Sequence, residues 1–202
     1  MLVATSSEGK MREIRDALAP LGLELLSLTD IGWTAEIAES GSTFEANALI
    51  KATAVAEATA MAALADDSGL EVDVLDGQPG VNSSRFAGPE ADDMDRNRIL
   101  VERLVATGEP PPWAAQYRCV LAYVEPGQEP VTFEGVLRGA IVPEARGCGG
   151  FGYDPHFLLP ERGVTVGEIP LASKQEISHR GQALRRFLLW HKARAAEAAR
   201  SE

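Results

Sequence analysis

Apolar positions along the chain alternate between short continuous runs and helical spacing. Leu2-Val3-Ala4-Thr5 is a run of the kind that forms a short buried strand, after which Met11, Ile14 and Leu18 recur on one helical face. Pro20 and Gly22 stop that helix, and Leu23 to Leu28 is the next candidate strand. A β-α-β opening predicts an α/β fold, with a mixed or parallel sheet and flanking helices.

Ser42 and Glu45 have capping-box spacing, so a second helix is expected from about Ser42. Phe44, Ala48, Leu49 and Ala52 carry its pattern to about Ala60. Ala62 to Ala65 reads as a short strand that ends in an acidic run, Asp66-Asp67-Ser68-Gly69, with Leu70 to Leu75 as its continuation or partner. Gly77, Pro79 and Gly80 mark a turn-rich loop that carries Arg85. Asp92 to Val105 is a helix, ended by Gly108 and three prolines. Tyr117 to Val124 and Val131 to Val142 are strands, expected as a hairpin through Pro126-Gly127. Gly147 to Asp154 is a glycine-rich loop. Ser173 and Glu176 repeat the capping-box spacing, and a long helix from near Ser178 carries Leu184, Phe187 and Leu188. With no repeat and no linker, residues 1–202 are expected as a single domain of two intimate lobes, with a helical tail from about 190 to 202.

Composition narrows the partners. Hydrophobic residues at 45% and charged residues at 24% suit an ordinary soluble domain. A formal net charge of −11 argues against a nucleic-acid duplex, which needs a basic face. It leaves a nucleoside triphosphate open, because a bound cation and a few lysines set the local field. Cys119 and Cys148 have neither metal-ligand spacing nor a disulfide framework, so a reduced, cytoplasmic setting is expected. No stretch is apolar enough to span a bilayer, and the N-terminal residues are not laid out as a signal peptide.

Five constellations carry candidate chemistry, four of them with a plainer alternative. The acidic run can hold a divalent cation and activate water, or it can be turn chemistry. Thr5-Ser6-Ser7-Glu8-Gly9-Lys10 stands between a strand and a helix, where backbone amides and a lysine suit a phosphate. Its glycine spacing is wrong for a P-loop, and its serines equally suit plain helix caps. Glu39 and Lys51 flank the second helix as a possible cation ligand and anion partner, or as exposed charges. Gly149-Gly150-Phe151-Gly152-Tyr153-Asp154 lets backbone approach a flat ligand with an aromatic ring at hand, or forms a β-turn. His156 behind it reads as packing or surface. Lys174, Ser178, His179 and Arg180 gather several donors. Ser178 and His179 are adjacent and so form no hydrolase dyad on a helix, and no nucleophile elbow is present.

Together these stretches resemble the inosine triphosphate pyrophosphatase family, the dITP/XTP pyrophosphatases, from Leu2 to about Leu189. The markers are Ala4-Thr5 through Lys10, Gly41-x-Thr43-Phe44 with Asn47-Ala48 and Lys51-Ala52, and Ala65 through Leu70. Pro79-Gly80 with Ser84-Arg85, Gly149 through Pro155, and Ser178 through Leu184 complete the set. The resemblance implies an elongated mixed sheet with helices (an ITPase-like, Maf-like fold), two lobes around a central nucleotide-binding cleft, and a homodimer. It also implies Mg²⁺-dependent hydrolysis of ITP, dITP and XTP to monophosphate and pyrophosphate, cleansing the nucleotide pool. Asp67 would be the catalytic carboxylate, and Glu39 with Asp67 would hold the metal. Thr5, Ser6, Ser7, Glu8, Gly9, Lys10, Lys51 and Ser68 would line the triphosphate site. Arg85 would also bind substrate, and Phe151, Gly152, Tyr153, Asp154, Lys174, His179 and Arg180 would surround base and sugar. The role of Asp66 stays open between support of the site and a turn. The family usually has asparagine at the position of Ser7 and often glycine at Ser6. Serine lacks the amide's reach and paired hydrogen bonds, so altered metal or phosphate affinity is expected. That departure motivates the rival, a catalytically weak purine-nucleotide sensor.

Overall fold

The computed structural model describes residues 1–200. Its strands are β1 (Leu2–Val3), β2 (Leu26–Ser27), β3 (Ala63–Val72), β4 (Trp113–Val124), β5 (Val131–Ile141), β6 (Phe157–Leu159) and β7 (Val164–Thr165). Its α-helices are α1 (Glu8–Leu18), α2 (Phe44–Thr59), α3 (Asp93–Ala106), α4 (Leu171–Ile177) and α5 (His179–Ala198). Hydrogen bonding orders the strands β2-β1-β3-β4-β5-β6-β7. β1 runs parallel to β2 and β3, whereas β6 runs antiparallel to β5 and β7. The α/β class and the mixed sheet with helices are therefore as the sequence pattern predicts.

Three local expectations change. The acidic run does not end a strand or make a turn; it lies inside β3, a single strand of ten residues. Charged strand positions stay in register because Asp66 and Asp67 are buried against lysines rather than turned out to water. Thr43, not Ser42, caps α2: its backbone is extended (φ −132°, ψ 156°) and its Oγ1 accepts the Ala46 amide at 3.1 Å. Ser42 stands one residue too early for that bond. Ser173 caps nothing, because α4 has already begun at Leu171 behind Pro170. Ser178 is the extended residue between α4 and α5 (ψ 155°). Smaller changes concern ends. β1 and β2 shrink to two residues each, β4 starts four residues before Tyr117, and Pro20 sits in a 3₁₀ turn, Ala19–Leu21, closed by Gly22 at φ +63°.

The chain divides into two compact units. One comprises Met1–Asp67, Cys119–Gly135 and Arg180–Glu202; the other comprises Ser68–Arg118 and Val136–His179. In the first, Val3, Met11, Ile14, Leu18, Leu64, Leu121 and Phe187 build a buried core. The helical period of Met11, Ile14 and Leu18 is what turns α1 onto that core. In the second, Leu70, Val72, Leu100, Leu104, Trp113, Tyr117 and Phe157 do the same. α5 continues through residues 190–198, while the last two residues of the expected tail, 201 and 202, lie outside the described residues. Among the described residues no helix is long and apolar enough to cross a membrane. Both cysteines are free; burial pushes the Cys119 thiol up to about 12, and Cys148 is exposed.

Candidate functional site

The first unit assembles an ionic cluster around β3. After β1 the chain turns at Thr5, whose Oγ1 accepts the Ser7 amide at 3.2 Å. Ser7 is the N-cap of α1 and accepts the Lys10 amide at 3.4 Å. Ser6, Ser7 and Glu8 are exposed at this helix start, with Gly9 half-buried behind them. From the first turn of α1 the Lys10 ammonium reaches Asp66 Oδ2 at 3.1 Å. Ser68 follows on β3, half-buried.

Asp67 belongs to a second set of partners. Lys51 Nζ lies 3.0 Å from Asp67 Oδ1 and 2.8 Å from Glu39 Oε1. Asn47 Nδ2 donates to Asp67 Oδ2 at 3.3 Å. Asn47 and Lys51 are four apart in α2 and so share a face. Asn47 Oδ1 also accepts the Gly41 amide at 2.8 Å. A Cβ on Gly41 would come within 2.7 Å of that same oxygen, so only glycine lets the loop close here. Burial raises the Asp67 pKa above its ordinary 3.8 despite Lys51 alongside. Burial lowers that of Lys51, but the Asp67 and Asp66 carboxylates outweigh it and keep the ammonium charged. Asp66 is different: burial pushes it up, yet Lys10 and Arg180 hold it far below the usual carboxylate range.

The second unit assembles an aromatic cluster around Asp154. Asp154 Oδ2 accepts the Phe151 amide at 2.9 Å and the Lys174 ammonium at 2.7 Å, while Oδ1 accepts the Tyr117 hydroxyl at 3.2 Å. Gly150 has φ +75°, and a Cβ there would stand 1.9 Å from Asp154 Oδ2. Lys174 lies over the Phe151 ring, 4.3 Å from its centroid. Tyr117 stacks on His179 at 4.8 Å and on Phe157 at 4.4 Å. The loop is tied down further: Gly152 donates to Asp93 and accepts from Asn97, and Tyr153 donates to the Ser83 carbonyl. His156 is buried against the Val142 carbonyl, a packing role.

Most expected site residues thus fall into one of two clusters, and Arg180 joins the ionic one. It is 2% exposed, its Nε and Nη2 donate to Asp66 Oδ2, and Nη1 donates to Glu13. Two carboxylates claim the guanidinium, because α5 begins one residue earlier and successive helical residues diverge by about 100°. Arg85 is exposed and donates to Asn82 at 2.9 Å. Asn47, Glu13 and Tyr117 were not singled out from sequence as site residues. Asn47 and Glu13 had a signal, standing four before Lys51 and three after Lys10. Tyr117 had none, since it reads as a strand core position.

Among the described residues no three or more His, Cys, Asp or Glu side chains converge to hold a metal. Glu39 and Asp67 nevertheless meet on one cation, the Lys51 ammonium. Two hard carboxylates suit Mg²⁺, which commonly takes one or two from protein and the rest from water and phosphates.

Comparison with known proteins points one way. The model of the Ham1 family matches residues 1–190. A protein of Geobacter sulfurreducens named dITP/XTP pyrophosphatase is 48% identical over 184 residues, covering 91% of this chain and 92% of that protein. Its namesake in Bacillus licheniformis is 46% identical over 187 residues, covering 93% and 95%. A HAM1 protein structure from Coxiella burnetii superposes with a TM-score of 0.88 at 38% identity, covering 95% and 98%.

Proposed function

The chain belongs to the Ham1 family, and on that premise we propose that it hydrolyses deaminated purine nucleoside triphosphates, ITP, dITP and XTP, to monophosphate and pyrophosphate. The observation that carries the reading is the buried Asp67 carboxylate, held between Lys51 and Asn47, with Glu39 sharing the same lysine. Cleavage between the α- and β-phosphates needs a water in line with the leaving pyrophosphate. Asp67 orients that water and accepts its proton; a pKa raised by burial makes it a better base than a free aspartate. Glu39 and Asp67 would hold Mg²⁺, which when bound supplies charge neutralisation and acidifies water. Lys10, Lys51, Ser68 and the exposed start of α1 at Ser6, Ser7 and Glu8 offset phosphate charge.

Lys174, His179 and the Phe151–Asp154 loop receive the base. Hypoxanthine and xanthine carry an acceptor at the six-position, where adenine carries an amino donor. Donors such as the Lys174 ammonium or His179 ring favour the former, and the two-amino group of guanine would either meet another donor or lack room. A site of placed polar groups discriminates far more strongly than an apolar pocket. Arg180 donates to Asp66 and Glu13, so this proposal assigns the discrimination to Lys174 and His179. A cytoplasmic location, supported by the free cysteines, and a homodimer, supported by the family resemblance, belong to the same proposal.

The test is product identity: pyrophosphate or orthophosphate from ITP, XTP, ATP and GTP, with and without Mg²⁺, alongside Asp67→Asn. Mg²⁺-dependent pyrophosphate from ITP and XTP, lost in the variant, is the expected result. Orthophosphate would mean attack at a terminal phosphate. Tight ITP binding without turnover would mean a sensor.

A further inference from the structure

We propose that Asp66 is a positioning residue, whose buried carboxylate, braced by Arg180 and Glu13, holds the Lys10 ammonium ready for the substrate's phosphates. The identity of that substrate rests on the functional reading above; the Asp66–Lys10 coupling does not.

Neighbouring residues on a strand point to opposite faces, so the two aspartates of β3 serve different partners. Asp67 meets Lys51 and Asn47. Asp66 Oδ2 takes Lys10 Nζ at 3.1 Å and Arg180 Nε and Nη2 at 3.2 Å each. Arg180 in turn is held by Glu13, one helical turn after Lys10 on the same face of α1. Lys10, Asp66, Arg180 and Glu13 therefore form a chain of three ion pairs, both ends of which are anchored in α1. Side-chain exposure within the chain is 4% or less for Glu13, Asp66 and Arg180, but 21% for Lys10. Three members are buried, and the fourth is partly open to solvent. A free lysine has four rotatable bonds to order on binding an anion; one already held loses less.

A carboxylate beside an anion site would by charge alone weaken anion binding, so removing it should tighten binding. Positioning predicts the opposite sign. The experiment is a double-mutant cycle of Asp66→Asn and Lys10→Ala, read by calorimetric binding of inorganic tripolyphosphate without divalent cation. Thermal unfolding and kcat and KM for ITP accompany it. Asp66→Asn should weaken tripolyphosphate roughly tenfold, the scale of a charge-assisted hydrogen bond, and the loss should vanish in the Lys10→Ala background. Any stability cost should persist in both backgrounds. Unchanged or tighter binding in Asp66→Asn, or an equal loss with Lys10 already gone, overturns the proposal. Should Asp66→Asn fail to fold, Glu13→Gln keeps the hydrogen bond to Arg180, removes only a charge, and should show a smaller loss with the same dependence on Lys10. A wild-type protein that does not turn over ITP would sink the functional reading, yet the tripolyphosphate cycle would still decide the role of Asp66.

Discussion

Each unit buries a lysine against an aspartate, Lys51 with Asp67 at 3.0 Å and Lys174 with Asp154 at 2.7 Å, and the two pairs keep opposite company. The first is surrounded by ions: Glu39 shares its lysine, and Asp66, Lys10 and Arg180 crowd the same stretch of β3. The second is surrounded by rings, with Phe151 under the ammonium and Tyr117 on the carboxylate. A buried ion pair is seldom the most stable filling of its space. Its neighbours therefore say more about its use than the pair does. Crowded ions suit a ligand of high charge, and rings beside a charge suit a flat polar one.

The sharpest way to break that comparison is Asp67→Asn. If the ionic pair does the chemistry, pyrophosphate release from ITP falls on the order of a thousandfold, about 4 kcal/mol in barrier, with ITP still bound. Next comes Lys174→Met, which leaves Asp154 buried without its cation. It should cost about 3 kcal/mol of stability in urea unfolding, whereas Arg98→Ala, at an exposed pair, should leave the unfolding midpoint nearly unchanged. Tyr117→Phe keeps the stacks on His179 and Phe157 but deletes the hydrogen bond to Asp154. A KM for ITP raised about tenfold at constant kcat would tie that hydroxyl to the base-binding cluster; a fall in kcat alone would assign it to the chemistry instead.

The neighbouring aspartates offer a subtler contrast. In metal-free protein followed by carboxyl-carbon NMR, Asp67 should bind its proton above pH 3.8, because burial disfavours its charged form. Asp66 should remain ionised through the same range. The sign for the mechanism follows: activity requires ionised Asp67, so metal-free Asp67 gains base character only as pH rises through that elevated value. The smallest effect is expected from Ser7→Asn. Serine and asparagine cap helices about equally, so stability should move by less than about 0.5 kcal/mol, while a lower KM for ITP would show the amide reaching phosphate.

Much of the site was legible because its motifs are local. Thr5 through Lys10 and Phe151 through Asp154 each sit on one continuous stretch, and glycine and capping patterns mark them. Legibility failed where a correct motif met an unforeseen partner. The acidic run reads either as a cation site at a strand end or as a turn, because Asp-Asp-Ser-Gly suits both. Lys10 and Lys51 arrive from α1 and α2 to satisfy it as strand. Arg180 shares a motif with His179, yet the two side chains leave α5 toward different partners.

The sequence by itself determined most elements and the chemistry available: α/β alternation from hydrophobic period, the starts of α2, α3 and α5 within a residue or two, and an inventory of carboxylates, lysines and aromatic rings in recognisable order. Only the tertiary structure decided who pairs with whom. Arg180 meets Asp66 across 114 positions and Glu13 across 167, and no local period reports such a contact. Which of two adjacent carboxylates faces which lysine depends on strand register and on burial, and both are properties of the packed sheet rather than of the residues in line.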